Sequence, residues 1–406
     1  LSESESEEII RGIFKGSKKI PEKVFEKTFK KISEGVSTGY GAGADGVDAD
    51  MIHQLKNNVK VFAAFKANAY KDTMISLLVD QDNKQRLWPA YLKEAKKVDA
   101  SYNTQWLAAE YKMAIRQARG AKQWATFERD KGVYPNLQFM PSRSANPRDS
   151  HTRYYGIIRA INDPFWVSAY PPLDWGCNCW VQQTKEPETE WENDFIETPP
   201  GIAANSGIQK KVFTADHSYL DAMAAADKMA VKRFLRENKD LAYEQIQIKI
   251  GKNKIVIPID ADPSDMIRNI NTLVPVVKKY KTNFSINSHS AAKGVKNPEF
   301  TDNKGVVGDG VYMDSKEPAK TIKDAFKKLQ PTKQLGKNKE VFLAINFNGK
   351  LTKDNLESAA RKIYGEMKAN SKCRYMILVN ESKSLIVKQG ETKQQIETKA
   401  KKELLK

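Results

Sequence analysis

Residues 148–184, RDSHTRYYGIIRAINDPFWVSAYPPLDWGCNCWVQQT, restrict the fold more than any other part of this 406-residue chain. Asp163-Pro164 starts a turn, because proline fixes its own φ and biases the preceding residue away from helix. Pro171-Pro172 stiffens the approach to Asp174-Trp175-Gly176. Phe165, Trp166, Tyr170, Trp175 and Trp180 form an aromatic set able to bury a large area with few residues. The segment therefore specifies a small rigid scaffold. Together with the short extended pieces from about Gly132 to Trp191, it predicts a compact α+β region.

Cys177 and Cys179 lie two apart, too close for ordinary disulfide geometry. With one further cysteine in the chain there is no disulfide framework, which fits a reducing compartment. Two thiolates at this spacing can clasp a soft metal such as zinc, with His151 adding a nitrogen ligand. A closed zinc site takes four ligands, so Asp163, Asp174 or water would have to complete it. The other reading is a packed, reduced thiol pair with His151 hydrogen-bonded locally. Nucleophilic catalysis by Cys177 with His151 would also need an orienting group.

A chain of this length is too long for a single core, and two or three domains are expected. Residues 1–47 alternate acidic and Lys-rich runs and end in the glycine-dense STGYGAGADG, which predicts a flexible arm. Residues 48–197 then hold a helical region followed by the motif. Ile52, Leu55, Val59, Phe62 and Phe65 recur at helical spacing, and further helices are expected over Leu87–Val98 and Asn103–Glu128, together a bundle core. Residues 198–239 read as a linker and a connector helix over Asp216–Asn238. His53, at a helix beginning, and His217 are expected in an N-terminal turn or on a solvated face. Residues 240–406 read as a basic α+β domain. It opens on a hairpin, EQIQIKI turning into KIVIPI, and continues with helices near 263–280, 316–329, 353–370 and 391–406. Strands are expected at 311–313, 341–347, 374–379 and 384–387. The overall class is α+β multidomain.

Charge follows this division. Residues 251–406 hold 31 basic and 17 acidic residues, a net +14, which leaves +3 of the total +17 for residues 1–250. That excess favours a polyanion partner for the last domain, DNA or RNA, because each neutralised phosphate releases a counterion. No stretch reaches the roughly 18 to 20 apolar residues of a membrane span, so no membrane partner is expected. The first residues, LSESESEEII, lack the basic and apolar regions of a secretory signal. A start at Leu1 leaves a processed product and a fragment both open. The glycines at 39–46 are followed by no GK[ST], which argues against a phosphate-binding loop and a nucleotide-driven packaging motor.

The central segment resembles the phage Mu F-like head-morphogenesis family. The matching residues are His151, Gly156, Asp163-Pro164-Phe165-Trp166, Pro171-Pro172 and Trp175-Gly176-Cys177-Asn178-Cys179. The likeness is dense over about 35 residues and extends over the helical stretch from about Asp48. It implies a minor capsid protein of a tailed phage or prophage that contacts the portal and other virion proteins and acts in head assembly or DNA packaging. It also implies a place inside the virion head, and in the host cytoplasm during assembly and after ejection with the genome.

Members of this family often carry an appended toxin-like domain, and residues 240–406 have the size for one. Asn287-Ser288-His289-Ser290 followed by Gly308-Asp309-Gly310-Val311-Tyr312 resembles the order in ADP-ribosyltransferase toxins. That resemblance would give His289 the cofactor ribose and Tyr312 the nicotinamide of NAD. Of the later acidic residues, Glu340 precedes a strand and Glu381 sits in a turn, so the family's late glutamate has no clear counterpart. The domain also resembles phage-borne barnase- and colicin-like ribonucleases, in which His289 with Lys293 and Lys296 would serve acid-base and phosphorane-stabilising roles. Ribonuclease, NAD-dependent transferase and non-catalytic binding to DNA or capsid partners are the three readings of this domain.

Overall fold

The structure, a computed structural model, describes residues 1–41, 46–191, 198–221, 223–238, 245–288, 297–313, 317–329 and 340–405. The chain divides into two compact units, residues 1–43 with 51–242, and residues 44–50 with 243–406. The α+β multidomain class is the one found, with helices dominating the first unit and a large sheet the second. Among the described residues, no helix is long and apolar enough to cross a membrane.

The first unit opens with α1 (Glu3–Phe14) and α2 (Glu22–Tyr40), where the sequence predicts a flexible arm over residues 1–47. That expectation is corrected over the described residues. Ser2 and Glu5 form a reciprocal capping box that starts α1. In α2, Val24, Phe25, Phe29, Ile32 and Val36 are buried at helical spacing. Of the glycines that read as a sign of flexibility, Gly39 has a packing cause, shared with Gly35 just before that run. A Cβ at Gly35 would lie 2.9 Å from the Tyr111 carbonyl oxygen, and one at Gly39 would lie 2.2 Å from that of Ile115. One turn apart, they let the α2 backbone touch α5 (Leu107–Asp130).

The helix α3 (Gly46–Ser76) covers the periodic stretch, and α4 (Trp88–Ala100) begins with Pro89 in its first turn. A π-helical turn, Ser101–Trp106, joins α4 directly to α5, where the sequence predicts two separate helices. His53, in α3, and His217 are both buried, against the expectation of a solvated position. His217 lies among rings, 4.4 Å from that of Tyr219 and 4.9 Å from that of Phe62 between centroids. Burial next to the Lys66 charge lowers its pKa to about 4, so it is neutral at pH 7. The expected connector helix is also shorter, with regular helix only at α9 (Ala225–Glu237) and turns over 214–221.

Between these helices lies a three-stranded antiparallel sheet of β1 (Asn136–Met140), β2 (Ile158–Ala160) and β3 (Trp180–Thr184), in the order β2-β1-β3. Trp124 and Phe127 of α5 pack on it, with Leu137, Phe139, Phe165, Trp166, Tyr170 and Val181. Three short helices complete the unit: α6 (Asp149–Thr152), α7 (Phe165–Ser168) and α8 (Ser206–Gln209).

The second unit is built on one eight-stranded mixed sheet of β4 (Gln245–Ile250), β5 (Asn253–Pro258), β6 (Phe284–Ile286), β7 (Phe300–Asp302), β8 (Val307–Tyr312), β9 (Val341–Asn346), β10 (Cys373–Asn380) and β11 (Lys383–Lys388). Its spatial order is β11-β10-β9-β8-β7-β6-β5-β4. Helix α10 (Met266–Tyr280) connects the parallel pair β5 and β6 and buries Ile270, Leu273 and Val277 on one face of the sheet. Two more crossover helices, α11 (Pro318–Leu329) and α12 (Lys353–Ala369), link β8 to β9 and β9 to β10 in parallel. Together with α13 (Lys393–Glu403) they cover the other face through Ile322, Leu356, Ile363 and Ile396. Strand β9 is buried along its whole length, as an apolar run covered on both faces requires.

Candidate metal centre

The stretch singled out by the sequence brings its three candidate ligands together. His151 sits on α6, in the connection from β1 to β2, while Cys177 and Cys179 end the loop that enters β3. Each sulfur lies 3.7 Å from His151 Nδ1, and the three donor atoms fall within 4.8 Å of one another. All three side chains are buried, and the cysteines belong to the apolar cluster under α5.

Several contacts hold this loop. Arg148 donates to the Trp175 carbonyl at 2.7 Å and pairs with the Asp174 carboxylate. The Cys177 N–H donates to the Asp174 carbonyl, and Pro171-Pro172 is joined by a cis peptide bond. Asp174 is thereby committed to Arg148, and Asp163 accepts from Arg159 at 2.6 Å and from the Phe165 N–H at 2.8 Å. Neither carboxylate offered by the sequence as a fourth ligand belongs to the cluster. The aromatic set divides as well. Phe165, Trp166 and Tyr170 enter the core, while Trp175 stacks on Phe213 and Trp180 carries the Arg143 guanidinium 4.1 Å above its ring.

The two N–S distances match the edge of a tetrahedral metal site. Zinc with Zn–S of about 2.3 Å and Zn–N of about 2.0–2.1 Å sets neighbouring N and S ligands roughly 3.6 Å apart, against 3.7 Å here. The electrostatics agree with a ready thiolate. A hydrogen bond from the Cys179 thiol pulls Cys177 well below the ordinary thiol range, and the same bond pushes Cys179 up. The Ser142 and Tyr155 side chains act against that rise.

Of the residues proposed for chemistry in the second unit, Tyr312, Glu340 and Glu381 lie among the described ones. His289, Lys293 and Lys296 lie outside the described residues. Tyr312 ends β8 with the Arg268 guanidinium 5.4 Å from its ring centroid. Glu340 pairs with Arg374 at 2.8 Å, and Glu381 occupies the β10–β11 turn at φ 57°.

Sequence reasoning missed two features. The first is a buried ion pair, Lys66 Nζ to Glu110 Oε2 at 2.5 Å, with the Tyr219 hydroxyl donating to the other Glu110 oxygen at 3.1 Å. The only sequence signal was a Lys and a Glu at positions that fall on the apolar faces of their helices. The second is a basic cleft beside the cysteines, formed by Arg116, Arg119 and Lys122 of α5 and by Arg143. The 3-residue spacing along α5 was its only trace.

Comparison with known proteins adds an independent line. No protein-family model and no solved structure matches the chain. It is 32% identical over 76 residues to the provisionally named capsid assembly protein F of Escherichia phage Mu, 19% of this chain and 17% of that protein. It is 33% identical over 73 residues to the Mu-like prophage FluMu F protein of Haemophilus influenzae, 18% of this chain and 17% of that protein. The chain thus spans about a sixth of the length of the curated relatives it matches. Over that stretch the chain is related to the Mu F-like proteins of phage and prophage.

Proposed function

We propose that the protein is a minor head component of a tailed phage or prophage, acting in capsid assembly with the portal among its partners. The observation that carries this reading is the identity to two F proteins, one of them named for capsid assembly. The long helices of the first unit are consistent with docking to other virion proteins. A stop codon early in the gene, in the phage or induced prophage that encodes it, is expected to reduce infectious titre at least tenfold. Mass spectrometry of wild-type heads is expected to recover the chain in few copies. An unchanged titre, with the chain absent from both precursor and mature heads, would sink the proposal.

We further infer that His151, Cys177 and Cys179 hold a zinc ion, with water in the fourth position. The support is the match between the donor spacing and a tetrahedral edge. Bound there, zinc would tie α6 to the loop entering β3 and add folding energy outright. Metal analysis of the full chain is expected to give about one zinc per molecule, falling to near zero in Cys177→Ser and Cys179→Ser, with a lower Tm. Purified wild-type protein without stoichiometric metal, even after zinc is supplied during refolding, means a merely packed thiol pair.

A further inference from the structure

We propose that the basic cleft beside the cysteine pair is a binding site for a compact anion bearing at least two phosphates, such as pyrophosphate or the phosphate chain of a nucleotide. The cleft has a volume of about 590 Å³, within the range of small-molecule sites, about 300–1,000 Å³. One wall is a face of α5, where Arg116, Arg119 and Lys122 follow at three-residue intervals. The other is the stiff run through Pro171, Pro172 and residues 177–181, with Arg143 beside it. Gly120 lets the two walls approach, since a Cβ there would lie 3.3 Å from the Pro171 carbonyl oxygen.

The charges in this cleft are one-sided. Arg116, Arg119 and Arg143 line it together with Lys122, whose ammonium also lies 5.2 Å from the Tyr40 ring centroid, and among the described residues no carboxylate does. Like charges gathered in one recess repel, and an anion that enters relieves that repulsion. Two of the guanidinium groups already have partners. Arg143 sits over the Trp180 ring, 4.1 Å from its centroid, and Arg116 donates through Nε to Asn178 Oδ1 at 3.3 Å, which leaves its terminal nitrogens for a ligand. Orientation before binding reduces the side-chain entropy lost on binding.

Guanidinium forks match the oxygens of phosphate and hold them bidentately. Several forks in one recess suit a ligand whose charge exceeds that of a single carboxylate. The shape argues for a compact ligand over a nucleic acid. A backbone interface spreads its cations along a track and leaves aromatic faces open for bases. Here the cations line a single recess, and one face of Trp180 is covered by Arg143.

Titration calorimetry on the full chain, with sodium pyrophosphate as the probe and citrate and a 20-base-pair DNA duplex as comparators, tests this. Expected is saturable binding of one pyrophosphate per chain, weakened at least tenfold by Arg119→Glu and by Arg143→Ala. Arg119→Lys should fall between these and the wild type. Lys232→Glu, on exposed α9, should leave the affinity unchanged. Circular dichroism and Tm verify that each variant folds, and Arg119→Gln replaces the charge reversal if that variant does not. Equal binding in Arg119→Glu and wild type overturns the proposal, as does equal weakening by Lys232→Glu. So does citrate binding as tightly as pyrophosphate, or a duplex that binds without competition from pyrophosphate.

Discussion

Replacing Glu110 by alanine is expected to cost the first unit about 3–5 kcal/mol, the range found when one partner of a buried ion pair is removed. Both side chains are essentially inaccessible, 0% exposed for Lys66 and 2% for Glu110. Burial pulls the Lys66 ammonium down and pushes the Glu110 carboxyl up, and each charge opposes the shift of the other. Without Glu110, the Lys66 ammonium keeps only the faces of Tyr102 and Tyr219, 6.0 and 5.8 Å away. These replace little of a carboxylate at 2.5 Å. For a unit of this size the loss corresponds to a Tm decrease of about 6–20 °C. The reading is the unfolding transition of the first unit, followed by far-UV circular dichroism. The double variant Lys66→Met with Glu110→Leu is expected to recover most of the loss, because an apolar pair removes the desolvation cost together with the attraction. A single variant that melts within about 1 °C of wild type, the shift of well under 1 kcal/mol, would show that the pair does not hold α3 to α5.

Gly39→Val is expected to destabilise the same unit by about 3 kcal/mol, at the upper end of the usual range for overpacking. The new Cβ would meet the Ile115 backbone, with oxygen at 2.2 Å and Cα at 2.8 Å, so no rotamer change relieves the clash and α2 must move off α5. The contrast is Gly12→Ala in α1, where a Cβ meets nothing within 4 Å. There the gain in helix propensity should raise stability by about 0.5–1 kcal/mol. Urea unfolding of both variants reads the two signs in one experiment. If Gly39→Val left the midpoint unchanged, the close approach of the two helices would not contribute to stability.

Much of the second unit was legible in advance. The hairpin of β4 and β5, the helices that became α10 to α13 and strands β9 to β11 all lie within a few residues of the periodic runs that foretold them. These elements announce themselves locally, by alternation in strands and a 3.6-residue period in helices. The errors in the first unit share one cause. Glycine density in residues 37–46 reads as flexibility when only neighbours in sequence are counted, yet Gly39, like Gly35 just before that run, is small because another helix, some 76 residues further on, needs the space. The burial of His217, expected in an N-terminal turn or on a solvated face, escapes the sequence for the same reason, since its cover comes from Phe62 and Tyr219.

The candidate metal centre was legible to a similar depth. A Cys-x-Cys preceded by a histidine names three donors through chemistry alone, and the aromatic and proline residues around them foretell a rigid loop. By itself, the sequence determined most of the elements of the second unit, the concentration of basic charge after residue 250 and which three side chains are candidate metal donors. Only the tertiary structure decided that both sulfurs stand 3.7 Å from one nitrogen and that Asp163 and Asp174 are bound to arginines instead. It alone paired Lys66 with Glu110, 44 positions away, and gathered three arginines and a lysine into one cleft. Propensity and periodicity act within a few residues along the chain. Charge pairing, ligand geometry and close packing depend on distances in space, which are set only when the elements pack.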